Sequence, residues 1–232
     1  MRNKKVRLFS VEEITHFIDC PLKWYLLKKN PDKNKISDTE KLLKVINFYL
    51  YRTTDNVECT DNTLLNKLHH QHLGEQKTKR WSKWMQEFKK NFPKNKTDVI
   101  AFNYPYTLYL VDNIGVTGVI DVVRYSPYGA DIILYNFMDE EFDIDNLIND
   151  PTYLIPIMAF ERDFSKSLNS IQIYNFPRGE FFDISRPTKI MIKQLDVLKE
   201  NLYKMRMFNV VPRISIDCGV CPVSKPCSEG LI

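Results

Sequence analysis

The sequence predicts a single domain of mixed α/β or α+β class, in which helices come before, between and after short strands. Residues 1–98 carry apolar side chains at helical spacing, and residues 99–137 carry short β-branched and aromatic runs. With 232 residues, 44% of them hydrophobic and 27% charged, the chain can bury one sizeable core. We therefore expect a mainly helical part (1–98), a sheet core (99–186) and a C-terminal segment with a long helix and a cysteine cluster (187–232).

The helical part begins with a capping signal. Ser10 followed by Glu13 forms a capping box, which predicts the start of a helix. This helix is expected to end at Cys20, because Pro21 disfavours a helical residue before it. Further helices are predicted after Pro21, over residues 42–50 and from Leu64 onward.

The segment 77–96 combines basic and aromatic residues. Its Trp and Phe residues recur at spacings of three and four, which predicts a helix with a buried aromatic face rather than a surface for base stacking. The opposite face is basic, and it is either a phosphate-binding surface or a solvated helix face. The candidates for contact with nucleic acid are Lys79, Arg80, Lys83 and Lys90.

The sheet core is predicted from alternating β-branched and aromatic runs separated by turn residues. A long helix with apolar residues at helical spacing follows it. The predicted elements are strands over 103–111, 115–125 and 131–137, a helix over 150–164, strands over 170–175 and 180–184, and a helix over 187–207.

Hydropathy and charge restrict the class of protein. No run of 18 apolar residues occurs and no secretory leader is recognised, so we expect a soluble, cytoplasmic protein without a membrane partner. The net charge of +4 permits a polyanionic partner, and no small-molecule substrate is evident. The richness in Asn, Lys, Ile and Tyr is typical of an AT-rich genome, such as that of a phage or another mobile element.

The cysteines predict a metal centre. Of the five, Cys218, Cys221 and Cys227 fall within ten residues near the C-terminus. Thiolates bind soft metals, and a fourth ligand is needed, for which we favour Cys20 over Cys59 because a capped helix and a proline fix its position. Spacing alone leaves an iron-sulfur cluster and a tetrahedral zinc site both open.

The two ends of the chain together resemble a known family. The N-terminal run Cys20-Pro-Leu-Lys-Trp-Tyr25 after a capped helix, and the C-terminal Cys218-x-x-Cys221-Pro with Cys227, resemble the iron-sulfur members of the PD-(D/E)XK nuclease superfamily. This is the RecB-like group of the AddB nuclease domain and the CRISPR-associated iron-sulfur exonucleases. The resemblance implies a restriction-endonuclease-like core, in which helices flank a mixed central sheet. It also implies a 4Fe-4S cluster on Cys20, Cys218, Cys221 and Cys227, with zinc as the alternative.

The resemblance extends to one catalytic position. Gly118-Val-Ile-Asp121 is similar to the family's Gly-x-x-Asp strand, whose aspartate binds a divalent metal. In the family, a second carboxylate and a lysine follow on the next strand. Here Leu134 replaces the acid and Asn136 replaces the lysine. Asp121 is thus the only remaining catalytic candidate, and we do not expect Mg²⁺ or Mn²⁺ to bind.

Two further family positions also depart from the pattern. Asn47 occupies the position expected for an early histidine, and Tyr153 and Ile157 stand in place of a Gln-x-x-x-Tyr motif. A relocated site would need other residues near Asp121. The candidates are Asp131, Asp139, Glu140, Glu141, Arg162 and Lys166.

These observations lead to three hypotheses. The first is a catalytically inactive RecB-like iron-sulfur protein that binds DNA or docks within a DNA-processing or transcription complex. The second is an active metal-dependent DNA exonuclease with a relocated site around Asp121, Asp131 and Arg162. The third is a zinc-stapled module for protein interaction.

The histidines at 69, 70 and 72 are interpreted as polar surface.

Overall fold

A computed structural model defines the fold over most of the chain. The residues that the structure describes are 6–29, 37–54, 57–71, 73–92, 99–111, 113–126, 129–138, 143, 149–164, 168–184, 188–208, 218, 221, 223, 224 and 227.

Seven helices lie within this described part, and the predicted helices are confirmed. The capping box at the start of the first helix is present: Ser10 Oγ accepts from the Glu13 N–H, and the Glu13 carboxylate accepts from the Ser10 N–H. The helices are α1 (Val11–Asp19), α2 (Pro21–Lys29), α3 (Asp38–Thr54), α4 (Asp61–His69), α5 (Glu75–Asn91), α6 (Pro151–Phe164) and α7 (Thr188–Arg206). None of them is long and apolar enough to cross a membrane.

Six strands form one mixed sheet, which confirms the α+β prediction. The five predicted strands are present, and a short N-terminal strand is added to them. The strands are β1 (Arg7–Ser10), β2 (Val99–Val111), β3 (Ile114–Ser126), β4 (Gly129–Asn136), β5 (Leu168–Asn175) and β6 (Glu180–Ile184).

The sheet divides at β3. β2 pairs antiparallel along nearly the whole of β3. β1 pairs parallel with residues 114–117 of β3, and β4 pairs antiparallel with residues 122–126. β1 and β4 therefore both pair with the edge of β3 that faces away from β2, and residues 118–121 lie between these two pairings. Beyond β4, the sheet continues with parallel β5 and antiparallel β6.

Two hydrophobic clusters cover the two faces of the sheet. Val123 and Ile132 pack into a cluster with α1, α6 and α7, whereas their neighbours Val122 and Ile133 pack into a cluster with α3, α4 and α5. This alternation is the period of two expected for a sheet buried on both sides. The fold is therefore three-layered, with helices on both faces of the sheet.

Candidate functional site

A cavity opens where the sheet divides, beside residues 118–121 of β3. It has a volume of about 450 Å³ and is lined by the first residues of α1, by α3 and α6, and by Tyr106 of β2. Asp121 of β3 and Leu134 of β4 also line it. The cavity therefore contains the one catalytic position that the family resemblance leaves in this chain.

Asp121 carries a carboxyl group in a largely apolar setting. Burial raises its pKa to about 7, although the Tyr135 N–H donates to Oδ2 at 2.9 Å and favours the charged form. Among the described residues, no Lys, Arg or His contributes to this shift. Glu12, at the start of α1, is the other acid in the described lining, and it is exposed. A protein cation that would neutralise Asp121 is therefore not found in the described part of the chain.

Tyr106 lies directly against the backbone of β3. A Cβ atom on Gly118 would lie 2.4 Å from the Tyr106 hydroxyl oxygen, so this approach requires glycine at position 118. The Tyr106 side chain is buried, and burial raises its pKa above the ordinary value. Its hydroxyl has no hydrogen-bond partner among the described residues. The cavity wall thus holds an unsatisfied polar atom.

The two predicted replacements on β4 have different surroundings. Leu134 is buried and lines the cavity with Asp121. Asn136 is not among the described lining residues; its Nδ2 donates to the Tyr153 hydroxyl at 2.7 Å, and its Oδ1 accepts from Asn175 Nδ2 at 3.0 Å. Asn136 therefore fixes the Tyr153 phenol in the cavity wall and contributes no charge to the cavity.

Asp131 does not join Asp121. In the register of β3 with β4, Asp131 lies opposite Arg124, three residues beyond Asp121 on β3. The Asp131 carboxylate accepts hydrogen bonds from Arg124, Asn169 and Ser170. The structure therefore places Asp131 in a buried structural network that, among the described contacts, does not include Asp121.

The remaining predicted neighbours of Asp121 also lie elsewhere. Arg162 bonds to Asp163 at 2.8 Å and donates to the Thr107 carbonyl oxygen at 2.8 Å. Asn47 donates to Asn103 at 3.3 Å and is not among the described lining residues. The residues at 69 and 70 are exposed histidines. Four other candidates lie outside the described residues: Asp139, Glu140, Glu141 and Lys166.

The predicted cysteine ligands are partly brought together. Cys20 and Cys221 pack against the same small apolar cluster, which joins α2 to Val223. The Cys221 N–H donates to the Cys218 carbonyl oxygen at 3.4 Å, and the Cys227 N–H donates to that of Val223 at 3.1 Å. Of the three C-terminal cysteines, only Cys221 is thus shown to share a cluster with Cys20. Cys59 is buried in the cluster on the other face of the sheet, where burial raises its pKa.

These thiols fit an iron-sulfur cluster in chemistry and in the shared position of Cys20 and Cys221. Within the described part of the chain, however, no three His, Cys, Asp or Glu side chains are gathered as a ligand group for a metal ion. The gathering of all four thiols stays a prediction.

The predicted aromatic face of α5 is confirmed as buried. Three aromatic side chains of α5 and that of Phe92, which follows the helix directly, pack into the cluster between α5 and the sheet. They are Trp81, Trp84, Phe88 and Phe92.

The opposite face of α5 is exposed and basic. Lys79 pairs with Glu75 at 2.8 Å, and Lys90 pairs with Glu87 at 3.8 Å. The Arg80 guanidinium lies 5.0 Å from the centre of the Trp84 ring, and Lys83 is exposed. The four predicted cations thus lie on one helix, and at least two of them have acidic neighbours on that helix.

Tyr106 and Glu12 contribute polar groups to the cavity, and the sequence does not predict either as a site residue. Tyr106 belongs to a strand that the sequence identifies only by its aromatic and apolar content. Glu12 is recognised only as part of a helix start. Gly118 is the one available signal, since a glycine in the middle of a strand indicates close approach by another group.

The comparisons with known proteins assign no family to this chain. No family model matches it, and no curated protein does. Among solved structures, it is similar to the crystal structure of SSO0001, with 14% sequence identity and a TM-score of 0.47, over 100% of this chain and 90% of that one. A likeness at this level carries no functional conclusion.

Proposed function

We propose that this protein is a non-catalytic relative of the iron-sulfur RecB-like nucleases that binds DNA, alone or within a DNA-processing or transcription complex. One observation carries the proposal: Asp121 shares its cavity with the apolar side chain of Leu134, in the position where a second carboxylate is expected. Mg²⁺ requires oxygen ligands in near-octahedral geometry, and leucine offers none. Among the described lining residues, position 134 therefore does not supply the acid that would complete a catalytic metal site.

The neighbouring chemistry supports the same proposal. Nuclease catalysis needs a positive group beside the metal to stabilise charge on the phosphate. Asn136 is neutral, and its amide is used to hold Tyr153 and Asn175. Asp121 itself is partly protonated near neutral pH, because burial raises its pKa to about 7. A cation would therefore compete with a proton at Asp121 near neutral pH.

The basic face of α5 is the proposed DNA-binding surface. Between Glu75 and Asn91 the helix carries six Lys or Arg residues against two Glu residues. Exposed ion pairs such as that of Lys79 with Glu75 contribute little free energy, so a phosphate can replace the carboxylate. Counterion release from DNA then supplies a binding free energy that depends on salt.

Removing charge from this face is expected to weaken DNA binding and its salt dependence. In a variant with Lys79→Gln, Lys83→Gln and Lys90→Gln, the slope of log K against log salt should fall by about 2–3, because each lost phosphate contact removes roughly 0.7–0.9. Fluorescence anisotropy with labelled single- and double-stranded DNA over a salt series measures this slope.

The matched control removes the same charge from α7, with Lys193→Gln, Lys199→Gln and Lys204→Gln. This variant is expected to keep most of the wild-type slope. An equal loss in both variants would contradict a binding surface on α5. The same labelled DNA incubated with Mn²⁺ is expected to remain intact, and cleavage that disappears in Asp121→Ala would overturn the non-catalytic assignment.

We further propose that Cys20, Cys218, Cys221 and Cys227 hold a 4Fe-4S cluster in the reducing cytoplasm. The position of Cys20 and Cys221 at one apolar cluster supports this proposal. The cluster would cross-link the end of α1 to the C-terminal turns and so close a loop of about 200 residues. A cross-link of that span stabilises a fold by about 5 kcal/mol in the chain-entropy account.

Replacing one ligand is therefore expected to remove the cluster and much of this stabilisation. Wild-type protein purified without oxygen should be brown, because iron-sulfur clusters absorb visible light whereas d¹⁰ zinc does not. Cys221→Ser should lose the colour and unfold at lower urea, whereas Cys59→Ala should keep its iron. A colourless wild-type protein that contains stoichiometric zinc would contradict the iron-sulfur proposal.

A further inference from the structure

The charged side chains in the described lining of the cavity beside Asp121 are all acidic. Its described lining contains two carboxylates, those of Asp121 and Glu12, and no Lys, Arg or His. Asp121 lies inside, whereas Glu12 is exposed at the start of α1. A half-buried carboxylate with no cation among its described neighbours favours a ligand that brings positive charge with it.

The Tyr106 hydroxyl provides a second, independent observation. The Tyr106 side chain is only 6% exposed, it lines the cavity, and its hydroxyl oxygen has no hydrogen-bond partner among the described residues. Buried polar atoms are normally paired, and an unpaired one indicates a missing partner. A ligand that donates a hydrogen bond in the cavity would supply that partner.

The walls and the size of the cavity indicate an organic ligand. A volume of about 450 Å³ lies in the range of small-molecule sites and far exceeds that of a single ion. The described lining is largely apolar and aromatic, with Leu43, Phe137, Met138 and Tyr153 among its members. Aromatic rings stabilise an ammonium group, and aliphatic side chains accommodate a hydrocarbon chain.

An anion is disfavoured in the same place. α1 and α6 both begin at the cavity, and helix N-termini attract anions. One N–H group in the first turn of each helix is already capped, however: Glu13 N–H donates to Ser10, and Thr152 N–H donates to Asp150 at 2.7 Å. A phosphate or carboxylate in the cavity would also face the Asp121 side chain.

We propose that this cavity binds a small aliphatic amine. The ammonium group pairs with the Asp121 carboxylate and donates to the Tyr106 hydroxyl, and the hydrocarbon chain lies along the apolar wall that includes Leu43 and Met138. Glu12 adds negative charge at the start of α1 and attracts the cation. This proposal goes beyond DNA binding and does not depend on it, and it assigns a small ligand to a chain whose sequence predicted none.

Isothermal titration of the full-length protein with n-pentylamine tests the proposal, with 1-pentanol and pentanoate as probes of the same shape. Saturable binding of the amine alone is expected. Tyr106→Phe should weaken it by about tenfold or more, since a hydrogen bond to a charged group is lost. The fold should tolerate this change, because the hydroxyl has no partner in the described structure. Asp121→Asn should abolish binding.

The exposed acid Asp196 provides the matched control, and Asp196→Asn should bind like the wild type. Equal binding of the amine and the alcohol would overturn the proposal, as would unchanged amine affinity in Asp121→Asn. Mn²⁺ that displaces the amine and binds more tightly would instead indicate a metal site. Nα-acetyl-lysine amide should bind more weakly than pentylamine, and tighter binding would assign the cavity to a lysine side chain of a protein.

Discussion

Replacing Asp131 with alanine is expected to destabilise the fold by about 3–5 kcal/mol, the usual cost of removing one partner of a buried ion pair. The Asp131 side chain is 4% exposed and accepts four hydrogen bonds from Arg124, Asn169 and Ser170. Alanine removes all four acceptor contacts and takes the carboxylate away from the Arg124 guanidinium, which is 18% exposed. Urea unfolding followed by circular dichroism at neutral pH measures the loss.

The double variant Arg124→Met, Asp131→Leu is the control for this prediction. Replacing both charges with apolar side chains avoids an uncompensated buried charge, so it should recover much of the lost free energy of unfolding. A loss below about 1 kcal/mol in the single variant would mean that the pair behaves like an exposed one. That result would contradict its placement in a buried network.

The same network has a defined dependence on pH. Burial alone would raise the pKa of Asp131, but hydrogen bonds from Ser170, Arg124 and Asn169 hold it below the ordinary value of 3.8. The folded pKa is therefore lower than the unfolded one, and the stabilisation is present above pH 3.8 and lost as pH falls through the lowered pKa. The difference in stability between wild type and Asp131→Ala should shrink accordingly in acid.

Helices and long strands could be predicted because their signals are local. The capping box at Ser10 and the proline after Cys20 fix both ends of α1 within a short stretch of chain. The run of β-branched residues in β3 likewise specifies a strand without reference to its partners. Local periodicity therefore accounts for most of the described elements.

β1 and the cavity could not be predicted, because both depend on pairing between distant segments. β1 spans only Arg7–Ser10, and it forms a strand by pairing in parallel with residues 114–117 of β3. The cavity exists because that pairing ends before β4 begins to pair with β3. No local pattern in residues 118–121 specifies this gap.

The sequence singles out one residue of the cavity, Asp121, but not the contacts that shape the cavity around it. The resemblance to iron-sulfur nucleases drew attention to Asp121, Leu134 and Asn136, and the structure places the first two beside one cavity. It did not indicate that a tyrosine on β2 would cover Gly118 or that Asn136 would hold Tyr153. These contacts depend on strand register and helix placement, which a motif on one strand does not encode.

Replacing Asp121 with asparagine is expected to stabilise the fold above neutral pH. The folded pKa of Asp121, about 7, lies above the ordinary value of 3.8. The free energy of unfolding of the wild-type protein therefore falls as pH rises from 3.8 to about 7. The Asp121→Asn variant has no such fall, because asparagine does not titrate. At pH 8 the gain should be about 2–4 kcal/mol, at 1.36 kcal/mol for each pKa unit. The asparagine side chain also keeps a carbonyl oxygen that can accept the Tyr135 N–H.

Urea unfolding of both proteins at pH 4, 6 and 8 measures this gain, which should be small at pH 4 and largest at pH 8. Asp121→Ala is the contrasting variant, because it removes the acceptor for the Tyr135 N–H and leaves a void. A stability cost for Asp121→Asn at pH 8 would mean that the ionised carboxylate is favoured in the folded protein. In that case a cation from the solution would have to be bound beside Asp121. A divalent ion there would support the hypothesis of an active nuclease. A gain that grows with pH would instead mean that the ionised Asp121 carboxylate destabilises the fold when no ligand is bound, as expected for a site that binds a positively charged ligand.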